Sequence, residues 1–232
     1  MENPPLGDIY DRPLALQRVT PDPETGPIAR NQNFALDFNR YLAADELNFF
    51  SSVSVTSGGV RVSEVTQYRM VDKRILVRLR SNMEPGLFYD VAPNPDRLRS
   101  VTDQPYAGPP AVKFLVEDRQ LERNPFAEDD PPPTWADVEP IFERCNVCHL
   151  DPEWKLPAMT PDGMIGQPSA QDSSRLIIRP FDAPNSYLMH KILWDYPIRQ
   201  GTAQPPSWAG YEQLSANAQR LIERWIRVGA PR

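Results

Sequence analysis

The stretch Glu128–Trp135, which reads EDDPPPTW, divides the sequence into two parts of different character. Three acidic residues precede three consecutive prolines, and a run of prolines forms a stiff, extended spacer. Alternating apolar and polar residues dominate before this stretch, whereas longer helical periodicity appears only after it. We therefore predict a first domain at residues 1–127, a proline-rich linker at 128–133 and a second domain at 134–232.

The composition of the 232-residue chain excludes several classes of protein. With 25 basic and 31 acidic residues, the net charge of −6 is a poor match for nucleic acid, because phosphate binding needs a basic face. No stretch approaches the roughly 18 apolar residues of a membrane-spanning helix. Proline is frequent, with 27 residues, which permits few long helices. We expect neither a nucleic-acid partner nor a transmembrane span.

The first part has the pattern of an all-β domain. Runs in which apolar and polar side chains alternate follow one another closely, with turn residues such as Gly58-Gly59 between them. Strands at such short spacing are typical of a β-sandwich. The expected elements are strands at Phe34–Phe38, Ser52–Thr56, Val60–Tyr68, Ile75–Arg80 and Leu87–Val91, and a short helical turn at Ala43–Phe50.

The second part has the pattern of an all-α domain with long loops. Apolar residues recur at three- and four-residue steps from Val138 to Cys145, behind Thr134 as a capping residue. Two further helices are predicted, one at Ser186–Trp194 and one that begins after the capping residue Ser215.

The first of these helices leads directly into CNVCH, Cys145–His149, which contains both cysteines of the chain. This spacing is the attachment signature of c-type haem. Two thiols on one helical turn can each form a thioether with a haem vinyl group, and the next residue, His149, can then bind iron. The motif predicts one covalent haem c held by Cys145 and Cys148, with His149 as the proximal iron ligand.

Three other interpretations of the two cysteines stay open at this point. A thioredoxin-like redox pair also uses C-x-x-C, although it expects a strand before the motif. The two cysteines and the two histidines could form a zinc site, although His190 lies far from the motif in sequence. The cysteines could also be two buried free thiols.

Three segments of residues 134–232 resemble small single-haem cytochrome c domains of the class I type. TWADVEPIFERCNVCH (134–149) is similar to their opening helix and haem motif, SRLIIRPFDAPNSYLMHKI (174–192) to their middle segment and LSANAQRLIERWIRVGAP (214–231) to their closing helix. The resemblance implies an all-α cytochrome c fold in which the first and last helices cross. It also implies a haem pocket lined or backed by Phe142, Trp225, Leu188 and Ile178, with Phe142 and Trp225 in contact at the crossing.

The sequence departs from this family at the second iron ligand. The family carries a methionine before paired prolines, whereas this chain has Gln204 before Pro205-Pro206. Three alternatives follow for the sixth position: Gln204 binds weakly or leaves the position open to water, His190 binds, or one of the methionines Met159, Met164 and Met189 binds.

Two segments of the first part resemble bacterial Ig-like domains. They are NQNFALDFNRYLAADELNFFSSVSVTSGG (31–59) and ILVRLRSNMEPGLFYDV (75–91). The resemblance implies an Ig-like sandwich that acts as a spacer or a binding platform and carries no chemistry of its own.

These features together predict an exported bacterial protein, periplasmic or on the cell surface, because haem is attached to C-x-x-C-H proteins outside the cytoplasm. The opening MENPPLGD has no signal segment, and we expect that one was removed; a lipid anchor, with Met1 in place of a lipoprotein cysteine, would suit these residues.

The favoured function is that of a c-type cytochrome that transfers one electron between redox protein partners, and not that of an enzyme. One alternative is a haem-based ligand sensor or haem enzyme with an open sixth position. The other is a surface assembly or binding module that contacts a cell-surface partner through the Ig-like domain, with a secondary haem domain.

Overall fold

The structure, a computed structural model, describes residues 11–44, 49–127, 130–151, 153, 156–197, 200–206 and 210–232, without the side chains of residues 49 and 50. The predicted lipid-anchor position at the chain start and the first two linker residues, Glu128 and Asp129, lie outside the described residues. The described residues up to 127 form one compact unit, and those from Asp130 onward form another.

The first unit consists of two β-sheets. Its described strands are β1 (Leu16–Thr20), β2 (Ile28–Ala29), β3 (Phe34–Phe38), β4 (Val53–Ser57), β5 (Val60–Arg61), β6 (Glu64–Arg69), β7 (Arg74–Leu79), β8 (Phe88–Pro93) and β9 (Val112–Glu117), with a short helix α1 (Phe49–Ser52) before β4. One sheet has the order β1-β3-β7-β6, and the other has the order β2-β9-β8-β4-β5. β2 pairs with β9 in parallel, and the other described pairs are antiparallel.

The core of the first unit lies between these two sheets. Phe34 of β3 and Phe114 of β9 belong to different sheets, and their ring centroids are 5.1 Å apart. In β4, the alternate residues Val53 and Val55 are fully buried while Ser54 between them is partly exposed. The period of two in the sequence therefore places apolar side chains on the inner face, where their burial stabilises the sheets.

Asp37 of β3 is a buried acid held by two arginines. Arg18 of β1 donates from Nε and Nη2 to Oδ2 of Asp37, at 3.0 and 2.8 Å. Arg74 of β7 donates from Nη2 to the same oxygen at 3.0 Å and from Nε to Oδ1. Burial opposes ionisation of this carboxyl, but the hydrogen bonds and charges of the two arginines outweigh burial and hold its pKa below the ordinary value of 3.8.

Replacing Asp37 with asparagine is expected to lower the free energy of unfolding by about 1–3 kcal/mol at neutral pH, because charge-assisted hydrogen bonds are lost and Arg74 keeps a partly buried charge. Since the folded-state pKa lies below 3.8, the contribution of Asp37 is present above that value and is lost as the pH falls through the folded-state pKa.

Urea unfolding of both proteins at neutral and acidic pH measures this effect, and the difference between them should shrink in acid. Asp90→Asn is the matched control, because Asp90 lies 3.8 Å from the exposed Lys113 and such surface pairs contribute about 0–1 kcal/mol. Equal losses for the two variants would contradict the prediction.

The second unit combines short helices with long irregular segments. The helices in its described residues are α2 (Trp135–Glu143), α3 (Asn146–His149), α4 (Pro161–Met164), α5 (Tyr187–Ile192) and α6 (Ala216–Arg227). A capping box starts α2: the backbone N–H and the hydroxyl of Thr134 both donate to Asp137 Oδ2, at 2.7 and 3.0 Å. Ser215 starts α6, since its Oγ accepts from the N–H of Ala218 at 3.2 Å.

The predicted fold class, an all-β Ig-like sandwich followed by an all-α cytochrome c fold, is wrong. The described helices of the second unit are four to twelve residues long, and isolated bridges such as Ile165 with Ile178 occur between them. The protein is β-rich, with two sheets and a few short helices. Prolines such as Pro157, Pro168 and Pro184 lie in the segments between the helices, where each removes a backbone donor and restricts the residue before it, although Pro140 lies inside α2. The sequence pattern located the helices but overstated how much of the unit they occupy.

Candidate functional site

One helical turn presents the two cysteines and His149. The turn follows the end of α2, and the N–H groups of Cys148 and His149 donate to the carbonyl of Cys145 at 3.2 and 3.1 Å. Cys145 therefore lies just before α3, and the other two residues lie within it. Both thiols are free and partly exposed. The turn holds two free thiols and an imidazole within five residues of chain.

All three residues line one pocket of the second unit. The pocket has a cavity volume of about 170 Å³ and is partly open to solvent. Its wall is mainly apolar, with contributions from Leu156, Ile177, Leu188, Ile192 and Leu214. The pocket thus offers the mainly apolar surface that a large, flat, apolar cofactor requires.

The ring of His149 is fixed in one orientation. Its Nδ1 lies 2.7 Å from the carbonyl oxygen of Pro157. A carbonyl can only accept, so Nδ1 carries the proton and Nε2 keeps its lone pair. Burial lowers the pKa of this imidazole below 6.5, although the hydrogen bond to Pro157 acts in the opposite direction. A neutral imidazole with a backbone-oriented Nδ1 is the arrangement of a histidine that binds a metal through Nε2.

The environment of Cys145 does not favour thiol–disulfide chemistry. Burial raises the pKa of its thiol above 9.0, with Arg144 acting in the opposite direction. Redox-active C-x-x-C pairs instead depend on a thiol whose pKa is lowered.

Two of the four residues predicted to line or back a haem pocket line the pocket in the structure. Phe142 and Leu188 line the pocket, whereas Trp225 and Ile178 do not. Trp225 lies behind Phe142, with ring centroids 6.2 Å apart, and so joins α6 to α2. Ile178 is fully buried and bridges to Ile165.

Only some of the candidates for a sixth iron ligand line the pocket. Gln204 and Met159 line the pocket, whereas His190, Met164 and Met189 do not. The ring of His190 stacks on Tyr196 at 4.2 Å, and its Nε2 lies 2.7 Å from the carbonyl oxygen of Pro184. Met164 and Met189 are fully buried. Among these five side chains, only Gln204 and Met159 are placed where a pocket ligand could meet them.

The sequence did not single out a polar cluster in the pocket wall. Tyr187 and Lys191 of α5 line the pocket together with Gln171, and all three are joined by hydrogen bonds. The i, i+4 spacing of Tyr187 and Lys191 places them on one helix face, but only the tertiary structure brings Gln171 to them.

No metal site built from side chains alone is found: in the described parts of the chain, no three His, Cys, Asp or Glu residues form a group that could hold a metal ion. The zinc alternative therefore has no ligand set there. In the same residues, no helix has the length and apolar character needed to cross a membrane.

No protein-family profile and no curated protein matches the chain. Solved structures give weak likenesses. The bacterial S-layer protein SbsC, in a structure of residues 31–844, has a TM-score of 0.34 and 13% identity over 46% of this chain and 14% of its own. The native alpha-2-macroglobulin of Escherichia coli, spanning domains MG0-NIE-MG1, has a TM-score of 0.35 and 14% identity over 47% of this chain and 33% of its own.

The β-rich architecture with its few short helices contradicts the family assignment made from the sequence, a class I-like single-haem cytochrome c domain preceded by a bacterial Ig-like domain, and no family profile supports that assignment. The likenesses are to all-β domains of surface-layer and macroglobulin proteins, and they span at most a third of those chains. The description of the chain as a metal-binding, electron-transferring cytochrome c lipoprotein is corrected with it. The reason is that short helical and strand segments recur in unrelated folds, so segment resemblance does not determine a family.

Proposed function

We propose that this chain is a binding protein of the cell surface or the extracellular space whose second unit carries one covalently attached haem c. The observation that carries the proposal is the joint placement of two free thiols and a backbone-oriented histidine on one pocket wall. It rests on this chain's own side chains and requires no family membership.

Each residue has a defined role in the proposed site. Cys145 and Cys148 would hold the porphyrin through thioethers, each formed by addition of the thiol S–H across a vinyl group, and His149 would offer Nε2 to the iron. Phe142 and Leu188 exclude water from the pocket, which affects the redox potential of a buried group. The haem itself would supply a one-electron ferric–ferrous couple, and its expected partners are redox proteins.

Expression of the full chain in a bacterium that exports it and attaches c-type haem tests the proposal. The purified protein should weigh the polypeptide plus one haem under denaturing conditions, and its reduced-minus-oxidised spectrum should show c-type bands. A colourless protein with the mass of the polypeptide alone would overturn it.

The nature of the sixth ligand gives a specific prediction at Gln204. An amide is a weak iron ligand, so the ferrous protein should take up carbon monoxide with a shift of its Soret band. Gln204→Met places a thioether at the same pocket position, which should suppress carbon monoxide uptake and raise the midpoint potential on the order of 0.1 V, within the roughly 0.8 V that axial ligands span.

Spectroelectrochemistry and carbon monoxide titration measure both effects. Gln167→Met is the control, because Gln167 is exposed and does not line the pocket. A wild-type Soret band that does not respond to carbon monoxide would contradict the weak-ligand assignment.

A partner-binding role for the first unit is supported by its exposed apolar residues. Val60 in β5 is 71% exposed, and Leu87 and Phe88 are 43% and 53% exposed. Large exposed aromatic side chains are enriched at protein interfaces. We infer that this part of the sheet of β5, β4 and β8 contacts a cell-surface partner.

Phe88→Asp is expected to reduce binding of the full chain to envelope fragments of the source cells severalfold, because a charge replaces an apolar contact. A sedimentation assay measures the bound fraction. Phe181→Asp is the matched control, since Phe181 is an exposed aromatic residue of the second unit. Equal binding of wild type and Phe88→Asp would exclude this surface.

A further inference from the structure

The polar cluster in the pocket wall is compact and buried. Lys191 Nζ donates to Gln171 Oε1 at 2.8 Å and to the carbonyl oxygen of Gln200 at 3.0 Å. The hydroxyl of Tyr187 lies within hydrogen-bond distance of the same two oxygens, at 3.1 and 2.9 Å, and its single proton can be donated to either. Lys191 is 7% exposed and Tyr187 is 5% exposed. Two donors that share two acceptors hold the ammonium group in a defined position.

The charged side chains that line the described part of the pocket all have one sign. Among the described residues that line it, the charged side chains are Arg144 and Lys191, and none is aspartate or glutamate. This contrasts with the whole chain, whose net charge is −6. A mainly apolar wall with cationic groups selects a ligand that is apolar over most of its surface and carries an anionic group.

We propose that Lys191, held by Tyr187 and Gln171, forms a carboxylate-binding subsite of this pocket that pairs with a haem propionate. The inference rests on the proposed function and adds a residue that lies outside the motif Cys145–His149. An ammonium group and a carboxylate attract each other more strongly at a buried pocket wall than in water, and charge-assisted hydrogen bonds between them are short and directional.

The subsite has a consequence for redox behaviour. A buried positive charge next to the pocket stabilises the reduced haem, which carries one negative charge more than the oxidised form. Tyr187 and Gln171 act as positioning residues, because they fix the ammonium group.

The test compares Lys191→Gln and Lys191→Arg in the matured full chain. Lys113→Gln serves as a control, because Lys113 is an exposed lysine of the first unit. Intact mass reports haem attachment, potentiometry reports the midpoint potential, and the propionate bending band in resonance Raman spectra reports the hydrogen bonding of the carboxylates. Lys191→Gln should attach haem, shift the potential to lower values and move the propionate band. Lys191→Arg and Lys113→Gln should stay near wild type.

Each outcome separates this inference from the proposed function. If wild type carries no haem, the proposed function fails and the subsite fails with it. If wild type and Lys191→Gln both carry haem with the same potential and the same propionate band, the subsite is overturned while the proposed function stands. If Lys191→Gln loses haem while Lys191→Arg keeps it, the positive charge is required, which supports the subsite. Loss of haem in both variants would show that the charge is not the determinant and would overturn it.

Discussion

A chain in which both Cys145 and Cys148 are replaced by serine should emerge from maturation without covalently bound haem. The two thiols line one pocket and follow each other on one turn, so each can bond one vinyl group of the same porphyrin. Serine has nearly the same size, which leaves the pocket shape in place but removes the sulfur. Attachment, measured as the fraction of protein with the mass of polypeptide plus haem, should fall from nearly complete to undetectable.

The single-cysteine variants and a neighbouring substitution test whether each sulfur contributes to haem attachment. Cys145→Ser and Cys148→Ser each keep one sulfur, so a smaller fraction should carry haem through one thioether. Val147→Ala is the matched control, since Val147 lies between the cysteines with its side chain 66% exposed and outside the pocket lining. Full attachment in the double variant would show that the cysteines do not hold the cofactor, and loss in Val147→Ala would show that the whole turn had been disturbed.

The sequence predicted those parts of the structure that depend on local pattern. The strand Phe34–Phe38 has the predicted bounds. The helix α6 begins after Ser215, as predicted, because the hydroxyl of Ser215 caps it. Three strands were not predicted. The exposure of β1 does not alternate and β2 has only two residues, whereas β9 was missed although its buried residues partly alternate. Their positions depend on partners distant in the chain, which no local pattern encodes.

In the candidate site too, features set by local sequence could be predicted, whereas features set by tertiary packing could not. The spacing of Cys145, Cys148 and His149 is a property of five consecutive residues and could be found directly. The acceptor for His149 is the backbone carbonyl of Pro157, which has no side-chain signature. Lys191 and Gln171 meet only after a loop and a helix pack together, and so the charged part of the pocket could not be predicted.

Replacing Trp225 with alanine is expected to lower the free energy of unfolding by roughly 3–5 kcal/mol, the range for removal of a large buried aromatic side chain. Trp225 is fully buried in α6 and contacts Trp135 and Phe142 of α2, with ring centroids 5.7 and 6.2 Å away. Its Nε1 also donates to the carbonyl oxygen of Pro231 at 2.9 Å. The substitution would leave a cavity and an acceptor without its donor in the layer behind the pocket, so the pocket residue Phe142 would lose its support.

Two further variants separate the cavity from the hydrogen bond. Trp225→Phe keeps an aromatic ring but removes the N–H, so it should lose less stability than Trp225→Ala. Asn217→Ala is the control, because Asn217 lies on the exposed side of α6, where substitutions change stability by about 0.5 kcal/mol or less. Denaturant unfolding followed by circular dichroism at helical wavelengths measures all three in the full chain. If Trp225→Ala lost no more stability than Asn217→Ala, the packing of α6 on α2 would not hold the second unit together, and the pocket wall that includes Phe142 would need another source of rigidity.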